Sequence, residues 1–153
     1  MKLVSACLVG INCKWNGKNE YNEKLRQEFL DGKLLPLCAE QLGGLPTPRA
    51  PSGILDGTGK DVICGNCRMV NNYGEDVTKQ FTRGAYEILN VVKDMGIQEA
   101  ILKKTSPSCG VGKTWQMSKE EDKYVNNLVD GNGVLTALLK ENGIKVYSEE
   151  DFS

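Results

Sequence analysis

The sequence predicts an α/β fold of three layers, a largely parallel sheet with helices on both faces, accompanied by a small β-hairpin. Three observations carry this expectation. Short apolar runs at Leu3-Val4-Ser5-Ala6, Leu34-Leu35-Pro36-Leu37, Ile97 to Leu102 and Ile144-Lys145-Val146-Tyr147 have the length of strands. Between them lie helical periodicities, the strongest formed by Val77, Phe81, Ala85, Ile88, Leu89, Val92 and Met95 and stopped by Gly96. Strands that alternate with helices pair in parallel and bury both faces of their sheet.

Taken in order, the first strand runs straight into Cys7-Leu8-Val9-Gly10, and a loop with Asn12, Asn16, Gly17 and Asn19 follows. Leu25, Phe29 and Leu30 share one face of a helix that ends near Gly32. Pro36 inside the second strand predicts an edge position or an early end, because proline cannot donate to a central ladder. Cys38-Ala39-Glu40 comes next, then a loop rich in glycine and proline from Gly43 to Gly59. Asp61 to Val70 is predicted to be the hairpin, turning at Gly65-Asn66. A last helix begins at Val134 to Leu139 and is ended by Gly143. Ser118 to Asn127 is charged and polar and gives no periodic signal. With no repeat or linker, residues 1–153 are expected to form one domain.

Charged residues make up 25% of the chain and the formal net charge is -1, so the footprint of a general nucleic-acid binder is missing. No apolar run approaches the ~20 residues a membrane span needs. Met1 to Cys7 superficially resembles a lipoprotein cleavage box, but its apolar run falls short of the ~7–15 residues of a signal segment. A cytoplasmic protein is expected. There six cysteines point to metal binding or thiol chemistry, since disulfides rarely persist in a reducing compartment. Histidine is absent, leaving Cys, Asp, Glu, Ser and Lys to do any chemistry.

In a parallel sheet the strand-to-helix loops emerge at the carboxyl edge, where ligands bind. Cys7, Cys38 and Cys109 each follow a predicted strand and are therefore expected at one edge. Three convergent thiolates suit a soft metal centre. Zinc would want a fourth ligand or a water. A [4Fe–4S] cluster held by three cysteines would keep one iron open as a Lewis acid. Cys13 could supply a fourth ligand, and all of these thiols could instead be small buried hydrophobes. Glu40, beside such a cluster and away from water, would suit a proton shuttle; a solvated loop glutamate is the plain alternative. Ser106 and Ser108 could donate hydrogen bonds to substrate or sulfur, and Arg49, Lys103 and Lys104 could neutralise an anion. Cys64 and Cys67 form a Cys-x-x-Cys pair, read as an accessory metal site or simply hairpin cysteines. Gly112-Lys113-Thr114 only hints at a phosphate loop, because the glycine that the pattern requires is replaced by Pro107.

Ser5-Ala6-Cys7-Leu8-Val9-Gly10 with Cys13, Leu37-Cys38-Ala39-Glu40 with Gly43-Gly44-Leu45 and Pro48-Arg49-Ala50-Pro51, Ser106-Pro107-Ser108-Cys109-Gly110, Gly131-Asn132-Gly133-Val134 and Gly143 to Glu150 together resemble the thiouracil desulfidase family, in the same order and over nearly the whole chain. The resemblance implies a [4Fe–4S] cluster on Cys7, Cys38 and Cys109 whose open iron takes the sulfur of a thiolated pyrimidine. It also implies Glu40 and Ser106 as the acid/base and substrate-handling pair. Ala39 stands where the motif usually has proline, and the segment between Gly110 and Gly131 lacks the usual aromatic-Asp-Gly turn. The activity expected is replacement of C=S by C=O in a thiouracil-like base. Ser108, Arg49 and Lys103 would contact the substrate. A non-catalytic metal, cluster or sulfide-binding module is the alternative from another class, and a phosphate-loop nucleotide binder is the third.

Overall fold

β1 (Lys2–Ser5) lies inside an all-parallel sheet in the order β2-β1-β5-β8, with β2 spanning Leu34–Leu37, β5 Glu99–Leu102 and β8 Lys145–Ser148. The structure is a computed structural model and describes residues 1–152. The strands end level: Ser5 pairs with Leu37, Val4 with Ile101 and Leu102 with Ser148. Their carboxyl ends therefore form one rim. β2 is an edge strand, as Pro36 requires, with Pro36 opposite Val4.

Helices α1 (Glu23–Leu30), α2 (Ala39–Leu42), α4 (Thr78–Asp94) and α5 (Val134–Glu141) connect or flank these strands. On α4, Phe81, Ala85, Ile88 and Val92 are fully buried and lie three, four or seven residues apart, so one stripe of the helix faces the core. Full burial of side chains such as Phe81 and Ile88 contributes about 2 kcal/mol each. Two bare positions set how closely α2 approaches α4. A Cβ added to Gly84 would overlap the carbonyl oxygen of Ala39, and one added to Gly43 would overlap that of Gln80. The two backbones thus touch where a side chain would hold them apart.

A second, mixed sheet has the order β4-β3-β6-β7, built from β3 (Ser52–Leu55), β4 (Met69–Asn71), β6 (Lys113–Glu120) and β7 (Lys123–Asp130). It corrects two expectations, the first being the loop from Gly43 to Gly59, which contains strand β3. Residues predicted as a hairpin from Asp61 to Val70 instead contain α3 (Gly59–Ile63), opened by a reciprocal capping box between Thr58 and Asp61, and Cys64 caps its end. The hairpin lies in the segment that gave no periodic signal: β6 and β7 pair along their full length around Glu121-Asp122. Gly112-Lys113-Thr114 runs into strand β6, with Lys113 paired to Asp130, so no helix follows to make a phosphate loop. No described helix is long and apolar enough to cross a membrane.

Candidate active site

The parallel sheet places its chemistry at the rim. Cys7 lies in a 3-10 turn (Ala6–Val9) directly after β1. Cys38 is the N-cap of α2 directly after β2. Cys109 follows β5 through a loop fixed from two sides. Ser106 Oγ accepts from the backbone N–H groups of Ser108 (3.1 Å) and Cys109 (3.0 Å), and Thr136 Oγ1 of α5 donates to the Cys109 carbonyl (2.8 Å). The three thiols line a single cavity of about 530 Å³ together with Cys13, Glu40, Arg49, Lys103, Ser106 and Ser108. The ligands, the acid/base pair and the substrate contacts implied by the family resemblance all reach this cavity, whereas Lys104 and the Cys64–Cys67 pair do not.

All six cysteines are free thiols. Burial pushes the Cys109 thiol up to about 12. For Cys13, a hydrogen bond with Cys38 acts downward, but its bond with Cys7, burial and the charges of Cys7 and Cys109 outweigh it and leave the group at about 12. Cys38 is pushed up as well, by its hydrogen bond with Cys13 and by burial. Without a cation these thiols stay protonated, and a bound metal reverses that by deprotonating its ligands. No three Cys, Asp or Glu side chains among the described residues close around a point where one metal ion would sit. A cubane spreads its ligands over several irons and needs a roomy thiol-lined cavity instead, so the donor set fits a [4Fe–4S] cluster.

Beside the thiols lies a polar chain. Ser106 Oγ has its acceptor positions taken by the two backbone N–H groups, so its hydroxyl is left to donate, and Ser108 Oγ is 3.0 Å away. Ser108 in turn donates to Glu40 Oε2 at 3.0 Å, whereas Ser106 lies 3.5 Å from the same oxygen. The order is Ser106, Ser108, Glu40. Arg49 Nε grips the other carboxylate oxygen at 2.9 Å, with the two side chains only 6% and 13% exposed. Arg49 is itself fixed by bonds to the carbonyls of Cys13 (2.8 Å) and Pro46 (3.2 Å). It therefore holds Glu40 in place, a partner the sequence reading did not give this glutamate.

Lys103 reaches the cavity, but its ammonium is held by Glu20 (2.9 Å) and Glu149 (3.1 Å). Burial works against its charge, and those two carboxylates outweigh burial and hold the group above its ordinary value. Cys64 is exposed and Cys67 half-buried against the core; neither lines the cavity. Trp15, Trp115 and Asn126 do line it and were missed. Trp115 and Asn126 lie on the β6–β7 hairpin, whose turn has no glycine or proline to signal it.

Fold and cavity together define an α/β protein with a cysteine-lined pocket at the carboxyl edge of a parallel sheet, beside a buried Arg–Glu–Ser network. A profile of the 2-thiouracil desulfurase family matches residues 3–151, and the chain belongs to that family. The chain is 40% identical over 153 residues to the uncharacterized protein YbbK of Bacillus subtilis (strain 168), covering 100% of this chain and 98% of that one. Among solved structures, the [4Fe-4S]-dependent thiouracil desulfidase TudS matches with a TM-score of 0.81 and 36% identity, over 98% of this chain and 91% of that one.

Proposed function

We propose that this chain is an iron–sulfur desulfidase that converts the C=S of a thiouracil-like pyrimidine to C=O, with water supplying the oxygen and sulfide leaving. One observation carries the reading. Three thiols remote in sequence, Cys7, Cys38 and Cys109, line one cavity with a carboxylate–hydroxyl chain ending at Glu40. Family membership and the likeness to TudS support it. Cys7, Cys38 and Cys109 would hold a [4Fe–4S] cluster. Such a cluster would supply Lewis acidity toward a thiocarbonyl sulfur, making the carbon a better electrophile.

The chain's own residues handle the proton. Glu40 takes a proton from the attacking water, directly or through Ser108 and Ser106, and returns it as sulfur departs. Arg49 keeps the carboxylate from turning away. Ser106, pinned by two backbone N–H groups, presents its hydroxyl in one direction only. Residues 1–153 acting as one domain is part of the same proposal.

The test is anaerobic reconstitution followed by turnover of 2-thiouracil, with iron and sulfide counted per chain. Glu40→Gln is expected to keep its cluster and lose about 100-fold or more in kcat. A wild-type protein with an intact cluster and no desulfuration of any thiolated pyrimidine would refute the enzyme and leave a cluster-binding module.

A further inference from the structure

The wall that the mixed sheet gives the cavity has two features the desulfuration chemistry leaves unused. Trp115 on β6 and Asn126 on β7 both line it. Asn126 pairs with Met117, two residues along from Trp115, so Trp115 and Asn126 project from the same face of the hairpin as diagonal neighbours. Asn126 Oδ1 is the one buried side-chain nitrogen or oxygen among the described residues without a hydrogen-bond partner. Its carboxamide sits in a notch left by glycine: a Cβ on Gly53 would stand 2.6 Å from Oδ1. Among the described residues the amide makes one hydrogen bond, from Nδ2 to the Ser52 carbonyl, which is 3.4 Å long and restrains it weakly.

This buried acceptor, on a residue that lines the cavity but with Oδ1 itself resting against Gly53, carries a penalty until a donor arrives. The terminal torsion of asparagine is broad, so the amide turns at little cost to meet one. An indole face beside it stacks on any planar base. We propose that Trp115 and Asn126 form the base-recognition wall of the site: the pyrimidine stacks on Trp115 and its N3–H donates to Asn126 Oδ1. This rests on the desulfidase reading for the substrate class. The choice of N3–H follows from its chemistry, since N3 adjoins the thiocarbonyl carbon in both 2- and 4-thiouracil. One acceptor at that position serves either isomer and rejects a base alkylated there.

The experiment uses the reconstituted holoprotein and two readouts. Equilibrium dialysis against uracil, which has no sulfur for iron, reads base recognition without turnover. Kinetics with 2-thiouracil and its N3-methyl analogue read discrimination. Trp115→Ala is expected to raise the Kd for uracil and the KM about tenfold, with Trp115→Phe recovering most of the loss. Asn126→Ala is expected to raise both about fivefold at unchanged kcat and iron content, and to abolish the preference for the unmethylated base. Wild-type turnover with the alanine variants matching wild type in uracil affinity and methyl discrimination overturns the wall and leaves the desulfidase standing. Uracil binding that depends on both residues, in a protein that desulfurates nothing, upholds the wall and overturns the desulfidase.

Discussion

The two sheets divide the labour of the cavity. The parallel sheet β2-β1-β5-β8 delivers thiols, hydroxyls and charges to the cavity, nearly all from loops at its carboxyl rim, and Trp15 comes with them. The mixed sheet lends side chains from within strands, Ser52, Trp115 and Asn126, none of them charged. Rim loops after parallel strands can gather residues remote in sequence, which a multi-thiol centre needs. A two-stranded hairpin presents a flat, regularly spaced face suited to a planar ligand. On this arrangement, changes at the rim should destroy chemistry and changes on the hairpin should alter choice.

The sharpest way to break that comparison is Cys38→Ser. We expect it to lose the cluster and to cost more than the about 10–100-fold typical of outer-shell partners. Iron and sulfide analysis after anaerobic reconstitution checks this, and full cluster retention would contradict the assignment. Next comes Arg49→Met, which leaves Glu40 buried without its cation. A loss of about 3 kcal/mol in urea unfolding is expected, together with lower kcat.

A smaller effect belongs to Glu20. Burial alone would raise its carboxyl, but bonds from Lys103 and Lys14 hold it below the ordinary value. A depressed carboxylate stabilises the fold above its unfolded pKa and loses that contribution as pH falls through the folded one. Glu20→Gln should therefore cost up to about 1 kcal/mol at pH 7, and the difference from wild type should shrink below about pH 4. Urea titrations at the two pH values decide it. Smallest of all, Cys64→Ser at an exposed helix end should change stability by less than about 0.5 kcal/mol and leave the bound iron unaltered. A drop in metal content would instead tie the Cys64–Cys67 pair to the centre.

The parallel half of the fold was legible because its strands are short apolar runs and α4 has an unbroken apolar stripe. Pro36 even marked the edge. The convergence of Cys7, Cys38 and Cys109 followed from topology, and the structure brings all three to one cavity. The mixed half was not legible, for physical reasons. β7 reads Lys123-Tyr124-Val125-Asn126-Asn127-Leu128, a half-exposed strand whose stability comes from pairing with β6 rather than from its own pattern. Gly65-Asn66 looked like a hairpin turn, yet the capping box of Thr58 and Asp61 starts a helix just before it. Arg49 as the clamp on Glu40 depends on a loop path that no local periodicity encodes.

The bare crossing of α2 and α4 bears on how this protein can be engineered. Glycine inside a long helix invites replacement by alanine, which ordinarily gains about 1 kcal/mol of helix propensity. At Gly84 that methyl group would press on the carbonyl of Ala39, whose chain neighbours are Cys38 and Glu40. The helix would be better formed, while a sulfur and a carboxylate were levered off their marks from behind.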